Sequence, residues 1–170
     1  PTLETEKIDT NHPYAFTKFL GEKIVINYAN LFKMPNISCR FFNVYGPRLN
    51  MNGQYGAVFS NFLKQKKNKK PLTVVGNGKQ TRDFIHVDDL TNAFVKLSRS
   101  SLKNKIYNLG SGKETSINQI AYIIGGKKIF IPRRPGDPNR SCANIFKIKK
   151  DINWKPEISI KEGIQRLFNN

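Results

Sequence analysis

Three features of the sequence predict an α/β fold. Residues 13–33 carry apolar side chains at helical spacing. Residues 37–45 follow as an apolar run rich in β-branched and aromatic residues, closed by a Gly46-Pro47 break. A second short apolar run, 106–109, ends in Gly110-Ser-Gly112. Helix, short turn and buried strand in that order are half of an α/β unit.

Taken in order, residues 1–12 read as loop, with Glu4, Glu6 and Asp9 ahead of the helix, near its positive end. Pro13 suits a first helical turn, where its missing N–H costs nothing. Leu20, Ile24, Tyr28 and Leu31 then recur at the spacing of one amphipathic helix over 13–33. Residues 49–55, Asn-rich around Gly53, read as a surface loop. Val58, Phe59, Phe62 and Leu63 give a helical apolar face that ends in the basic run Lys64-Gln-Lys-Lys-Asn-Lys-Lys70. Residues 72–75 are a short strand, Gly76-Asn-Gly78 a tight turn and 83–87 extended. Asp88 or Asp89 is expected to cap a helix with Leu90, Ala93, Phe94 and Leu97 on one face. After the 106–109 strand, Ser116 caps a short helix carrying Ile117, Ile120, Ala121 and Ile124. Residues 128–131 form a strand and 132–138 a basic, Pro-rich loop. Asn144 caps a brief helix with Ile145 and Ile148. The capping box Ser159-x-x-Glu162 opens the last helix, with Ile160, Ile164, Leu167 and Phe168.

The 170 residues are enough for one core. Lys+Arg 29 against Asp+Glu 12 gives +17, a charge that favours anionic partners and solubility but dictates no fold. The basic run 64–70 is a nucleic-acid candidate, but no aromatics interleave with its lysines as stacking platforms would, so a solvated helix end is the preferred reading. Cys39 falls in the apolar strand as a buried thiol, and neither it nor Cys142 has metal-ligand spacing. No apolar run approaches ~18 residues, which argues against a membrane span. A reduced, cytoplasmic setting fits best.

The chemistry centres on Tyr14-Ala-Phe-Thr-Lys18. Four residues apart on a helix, Tyr14 and Lys18 lie one above the other. A phenol is ordinarily too weak an acid to serve as a base at neutral pH, and an adjacent ammonium favours its phenolate. Such spacing also arises by chance, so further motifs decide its meaning.

Those motifs are Arg40-Phe-Phe-Asn-Val-Tyr-Gly-Pro47, Gln80-Thr-Arg-Asp-Phe-Ile-His-Val-Asp-Asp89, Tyr107-Asn-Leu-Gly-Ser-Gly112 and Arg134-Pro-Gly-Asp137. With Tyr14-x-x-x-Lys18 they stand in the order and near the spacing of the extended short-chain dehydrogenase/reductases. The chain resembles the NAD-dependent sugar-nucleotide epimerases and dehydratases, with UDP-glucose 4-epimerase as the nearest type. The resemblance implies an incomplete Rossmann-like parallel sheet, from residues 1–45 and 83–110, plus a smaller α/β substrate domain from 46–82 and 111–170. The family's opening strand and Gly-x-x-Gly-x-x-Gly turn do not precede Tyr14, so the chain is expected to be a C-terminal portion, inactive alone, with an exposed sheet edge and an uncovered helix face. The Ser/Thr partner of the family's tyrosine is missing too.

By the same resemblance Tyr14 is the catalytic base. Lys18 assists it and contacts the nicotinamide ribose of NAD. Phe42 makes a main-chain contact to the nicotinamide. Asn43 contacts the substrate, Arg82 and Arg134 hold the diphosphate of a UDP-sugar, and Asp137 takes the uridine ribose. Ala57, Val58, Thr73, Val74 and Val75 form the uracil pocket. His12 and His86 are read as capping or packing residues, without a catalytic role. The implied reaction is oxidation and re-reduction at sugar C4 with Tyr14 taking the hydroxyl proton. A 4,6-dehydratase is the alternative, disfavoured because no carboxylate lies immediately before Tyr14 or at 15–17. A basic nucleic-acid-binding domain and a non-catalytic remnant are the competing classes. Arg140, after the Arg-x-Gly-Asp motif, departs from many epimerases and leaves the sugar open. A homodimer through the helix of Tyr14 is implied by analogy only.

Overall fold

The computed structural model of the chain describes residues 1–49, 58–133 and 138–168. Helix α1, Pro13–Leu31, leads into β1, Ile37–Phe41, and β2, Asn43–Tyr45. Helix α2, Val58–Lys67, precedes β3, Leu72–Val75. Strands β4, Thr81–Arg82, and β5, Phe84–His86, run into α3, Val87–Ser98. Then come β6, Lys105–Leu109, β7, Thr115–Ser116, α4, Ile117–Ile124, and β8, Lys128–Ile131. Helices α5, Phe146–Ile152, and α6, Ile160–Phe168, close the described chain.

The strands pair two by two: β1 with β6, β2 with β5 and β3 with β8 in parallel, and β4 with β7 antiparallel. The single strand expected over 37–45 is two strands. Phe42 N–H still donates to Leu109 at the end of β6, whereas Asn43 N–H donates to Asp83 (both 2.9 Å), so the chain changes partner from β6 to β5 between these residues.

Two apolar clusters form the interior. One joins Tyr45, Phe59, Phe62, Leu72, Val74 and Phe84 to the inward faces of α4 and α6. Tyr45 stacks on Phe59, and α6 approaches the Tyr45 ring closely enough that position 163 has room only for glycine. The other cluster joins Ile85, Leu90, Ala93, Leu97, Tyr107 and Leu109 to Ile148 and Trp154.

Several local readings hold. Ser116 and Gln119 make a full capping box on α4. Asn144 accepts from Phe146 N–H but stands one residue ahead of the N-cap of α5, which is Ile145, so it is not the cap the sequence suggests. Ser159 accepts from Glu162 N–H, while the Glu162 carboxylate turns to Arg166. Others are corrected. Neither Asp88 nor Asp89 caps α3: His86 does, through Nδ1, because the buried Asp89 carboxylate is taken by the N–H groups of Glu157 and Ile158. An amphipathic helix ordinarily buries its apolar stripe. In α1, however, Leu20, Ile24, Tyr28 and Leu31 are exposed and only Ala29 is buried, since no other described element covers that stripe. Cys39 is half-buried, and burial pushes its thiol up to about 11. The loop expected at 49–55, apart from Leu49, and the centre of the 132–138 loop lie outside the described residues.

Candidate active site

Helix α1 presents Tyr14, Lys18 and Glu22 four residues apart on one stripe. His12 caps the helix, its Nδ1 accepting from Tyr14 N–H at 3.2 Å. The Lys18 ammonium lies 5.4 Å from the centroid of the Tyr14 ring, and the ring is 65% exposed. Glu22 continues the stripe inward. Its carboxylate, 9% exposed, receives two 2.8 Å bonds from the Arg40 guanidinium on β1, and the Arg40 hydrogen bonds hold it below the usual carboxylate range. A third Arg40 N–H donates to the Glu4 carbonyl.

This pair fastens the middle of α1 to β1, which follows the helix across a short turn and ends at Phe41. Lys18 and Tyr14 lie one and two turns nearer the helix N-terminus than Glu22.

Asn43 and Arg82 both adjoin Asp83, the first through a backbone bond and the second as its chain neighbour. The Asp83 carboxylate is fully buried and accepts from Ser111 N–H and Oγ–H (both 2.6 Å), Gly112 N–H (2.9 Å) and Ala143 N–H (3.0 Å). Asn43 N–H takes the Asp83 carbonyl, and Arg82, just before it, is half-buried with Nη1 on the Thr81 carbonyl at 2.7 Å. A side chain at position 110 would run into Asp83, so the Gly110-Ser-Gly112 turn can approach only because position 110 is glycine.

The uracil candidates are split by their strand. Val74 is fully buried in the core, while Thr73 and Val75 face the other side of β3. Thr73 is also engaged by Gln65, through both its hydroxyl and its N–H. Gln80 donates to the Val75 carbonyl at 2.8 Å, tying the end of β3 to the approach to Arg82. Val58 packs half-buried at the start of α2. Ala57, Arg134 and Asp137 lie outside the described residues. Beyond that gap, Asn139 accepts from Thr81 N–H, and Arg140 pairs bidentately with Glu114 at 3.0 and 2.5 Å. Glu114 also accepts from the Thr81 hydroxyl, and these bonds, Arg140 first, hold its carboxyl down at about 2.

Sequence reasoning missed Asp83, Glu22 with Arg40, and Glu114 with Arg140. Each is a contact between residues 18 or more positions apart, which local patterns do not encode. A groove of about 440 Å³ along α1 is lined by Lys23, Ile24 and Tyr28 but includes neither Tyr14 nor Lys18. Among the described residues no group of three His, Cys, Asp or Glu could hold a metal, and no helix is long and apolar enough to cross a membrane.

Residues 1–110 match the NAD dependent epimerase/dehydratase family. The chain belongs to this family. It is 37% identical to the UDP-glucuronate 4-epimerase of Thermodesulfobacterium geofontis, over 99% of this chain and 53% of that protein. It is 32% identical to the UDP-glucose 4-epimerase of Mycolicibacterium smegmatis, over 98% of this chain and 55% of that protein. Its fold is similar to that of the UDP-glucuronic acid 4-epimerase of Bacillus cereus, solved with UDP-glucuronic acid and NAD. There the TM-score is 0.90 at 28% identity, covering 99% of this chain and 55% of the other. The chain thus spans about half the length of the relatives it matches.

Proposed function

We propose that this chain supplies the proton-transfer pair and the substrate-side wall of an NAD-dependent nucleotide-sugar 4-epimerase acting on a UDP-sugar. The observation that carries the reading is the Tyr14–Lys18–Glu22 stripe, tied by Arg40 to β1, whose chain runs on through Phe42 to Asn43, bonded to Asp83 next to Arg82. On this reading residues 1–45 and 83–110 belong to the dinucleotide-binding part, and 46–82 with 111–170 to the substrate part. The apolar side chains that α1 exposes suit packing against further strands of a nucleotide-binding sheet or against a second copy.

NAD, when bound, supplies the redox chemistry at sugar C4. The residues present fit its nicotinamide end. Lys18 is free to reach ribose hydroxyls, and Phe42, whose N–H is spent on Leu109, offers its carbonyl to the nicotinamide. No Gly-rich turn for the pyrophosphate occurs in the sequence. Tyr14, acting as its phenolate, takes the proton of the C4 hydroxyl and becomes neutral, and the Lys18 ammonium beside its ring favours the phenolate that starts the step. Asn43 orients the sugar, Arg82 and Arg134 hold the diphosphate in bidentate bonds, and Asp137 takes the uridine ribose. Ala57, Val58, Thr73 and Val75 flank the uracil, with Val74 contributing backbone alone.

The test is a chimera in which this chain follows the part of the M. smegmatis enzyme that it does not span. Charge-assisted bonds of this type contribute about 1.5–3 kcal/mol, so Arg82→Ala or Arg134→Ala weakens UDP-sugar binding by roughly tenfold to a hundredfold. Neutralising Lys67, Lys69 and Lys70 together leaves it within about threefold. The reverse ranking would sink the sugar-nucleotide reading of this site.

A further inference from the structure

A second cavity, of about 700 Å³, opens between α3 and the segment joining α5 to α6. Pockets of this volume hold small organic ligands. None of the candidate active-site residues lines it.

Its charges are unequally committed. On the acidic side, both Asp89 oxygens are taken by the N–H groups of Glu157 and Ile158, and Asp88 is paired with Arg166 at 3.0 Å. On the basic side, Lys96 donates only to the Asn153 carbonyl, and Lys149 and Lys155 have no ion-pair partner among the described residues. Asn153, in the left-handed conformation at the end of α5, turns the chain so that Trp154 enters the wall. Trp154 is 1% exposed, and its indole N–H meets no acceptor in the structure. A buried donor without an acceptor is costly, and the lysines that line the same cavity offer only donors.

We propose that this cavity is a binding site for a small oxyanion, a metabolite bearing phosphate or carboxylate groups, held by Lys96, Lys149, Lys155 and the Trp154 indole N–H. The ligand is rich in acceptors, because the ammoniums of Lys96, Lys149 and Lys155 outnumber the one uncommitted carboxylate of the lining, Glu157, and its negative charge answers them. The site is separate from the Tyr14 stripe and does not depend on the epimerase reading.

Trp154 is the chain's one tryptophan, so its emission reports the site directly. The 170-residue chain is titrated with inorganic pyrophosphate and with citrate, at constant ionic strength set by sodium chloride. A saturable emission change is expected with at least one of them. Response to pyrophosphate alone assigns a phosphate ligand, response to citrate alone a carboxylate, and response to both an oxyanion of either kind. In the Lys96→Ala/Lys149→Ala/Lys155→Ala variant the half-saturation point rises at least tenfold, with far-ultraviolet circular dichroism confirming the fold. Neutralising Lys67, Lys69 and Lys70 leaves it unchanged. The proposal is overturned if neither anion gives a saturable change, if chloride alone reproduces it, or if the two lysine triples shift it equally.

Discussion

Helices α1 and α3 begin alike and end up in different circumstances. Each follows an extended residue and is capped by a histidine, His12 or His86, whose Nδ1 accepts a backbone N–H at 3.2 Å. Helix α3 then buries Asp89, Leu90, Ala93 and Leu97, and Asp89 fastens it to the chain before α6. Helix α1 buries Ala29 alone and is fastened to β1 by the Glu22–Arg40 pair. Both sequences carry an apolar stripe. A stripe marks which face wants a partner and says nothing of whether the same chain provides one. The candidate base stands on the helix whose face is open, which is where a site shared with further structure would be found.

The contrast breaks most easily by side-chain truncation. Leu97→Ala, in the α3 interface, is expected to cost about 2–5 kcal/mol in denaturant unfolding, whereas Leu20→Ala on α1 costs under about 0.5. Equal costs would show that α1 is packed after all. Next in size, Arg40→Ala strips the partner from a largely buried Glu22 carboxylate. A local cost of roughly 2–4 kcal/mol follows, read as faster amide hydrogen exchange through α1 with α3 unchanged. The smallest effect is acid-dependent. Burial holds His86 below its ordinary value of 6.5, so its contribution is complete above that pH and declines as pH falls below it, when the unfolded chain takes the proton more readily. Exchange of Asp88 N–H should accelerate in that window, because a protonated Nδ1 no longer accepts. Lower still, the Glu114 latch onto Arg140 is lost between pH 4.5 and about 2, where its carboxyl titrates in the fold.

The element boundaries were largely legible, since they rest on local signals. Pro13 and the apolar spacing located α1, Ser116 located α4, and the Gly76 and Gly78 turn followed β3 as expected. The split at Phe42 was not, because it records a change of strand partner from β6 to β5 rather than anything in residues 37–45. Of the candidate site, the Tyr14–Lys18 pair follows from helix geometry alone. That Asn43 is bonded next to Arg82 depends on Asp83, which the sequence offers only as one acidic residue among several. Asp89 shows the limit most plainly: next to a helix start an aspartate reads as a cap, and burial instead gave it two amides of a segment nearly seventy residues away.

The central claim is that Tyr14 is the base. In the same chimera, Tyr14→Phe keeps the ring beneath Lys18 and removes only the oxygen that carries the proton. The account predicts a fall in kcat of at least a hundredfold with UDP-sugar affinity nearly unchanged, since the lost interaction belongs to the transition state. Turnover within about tenfold of the parent would contradict it.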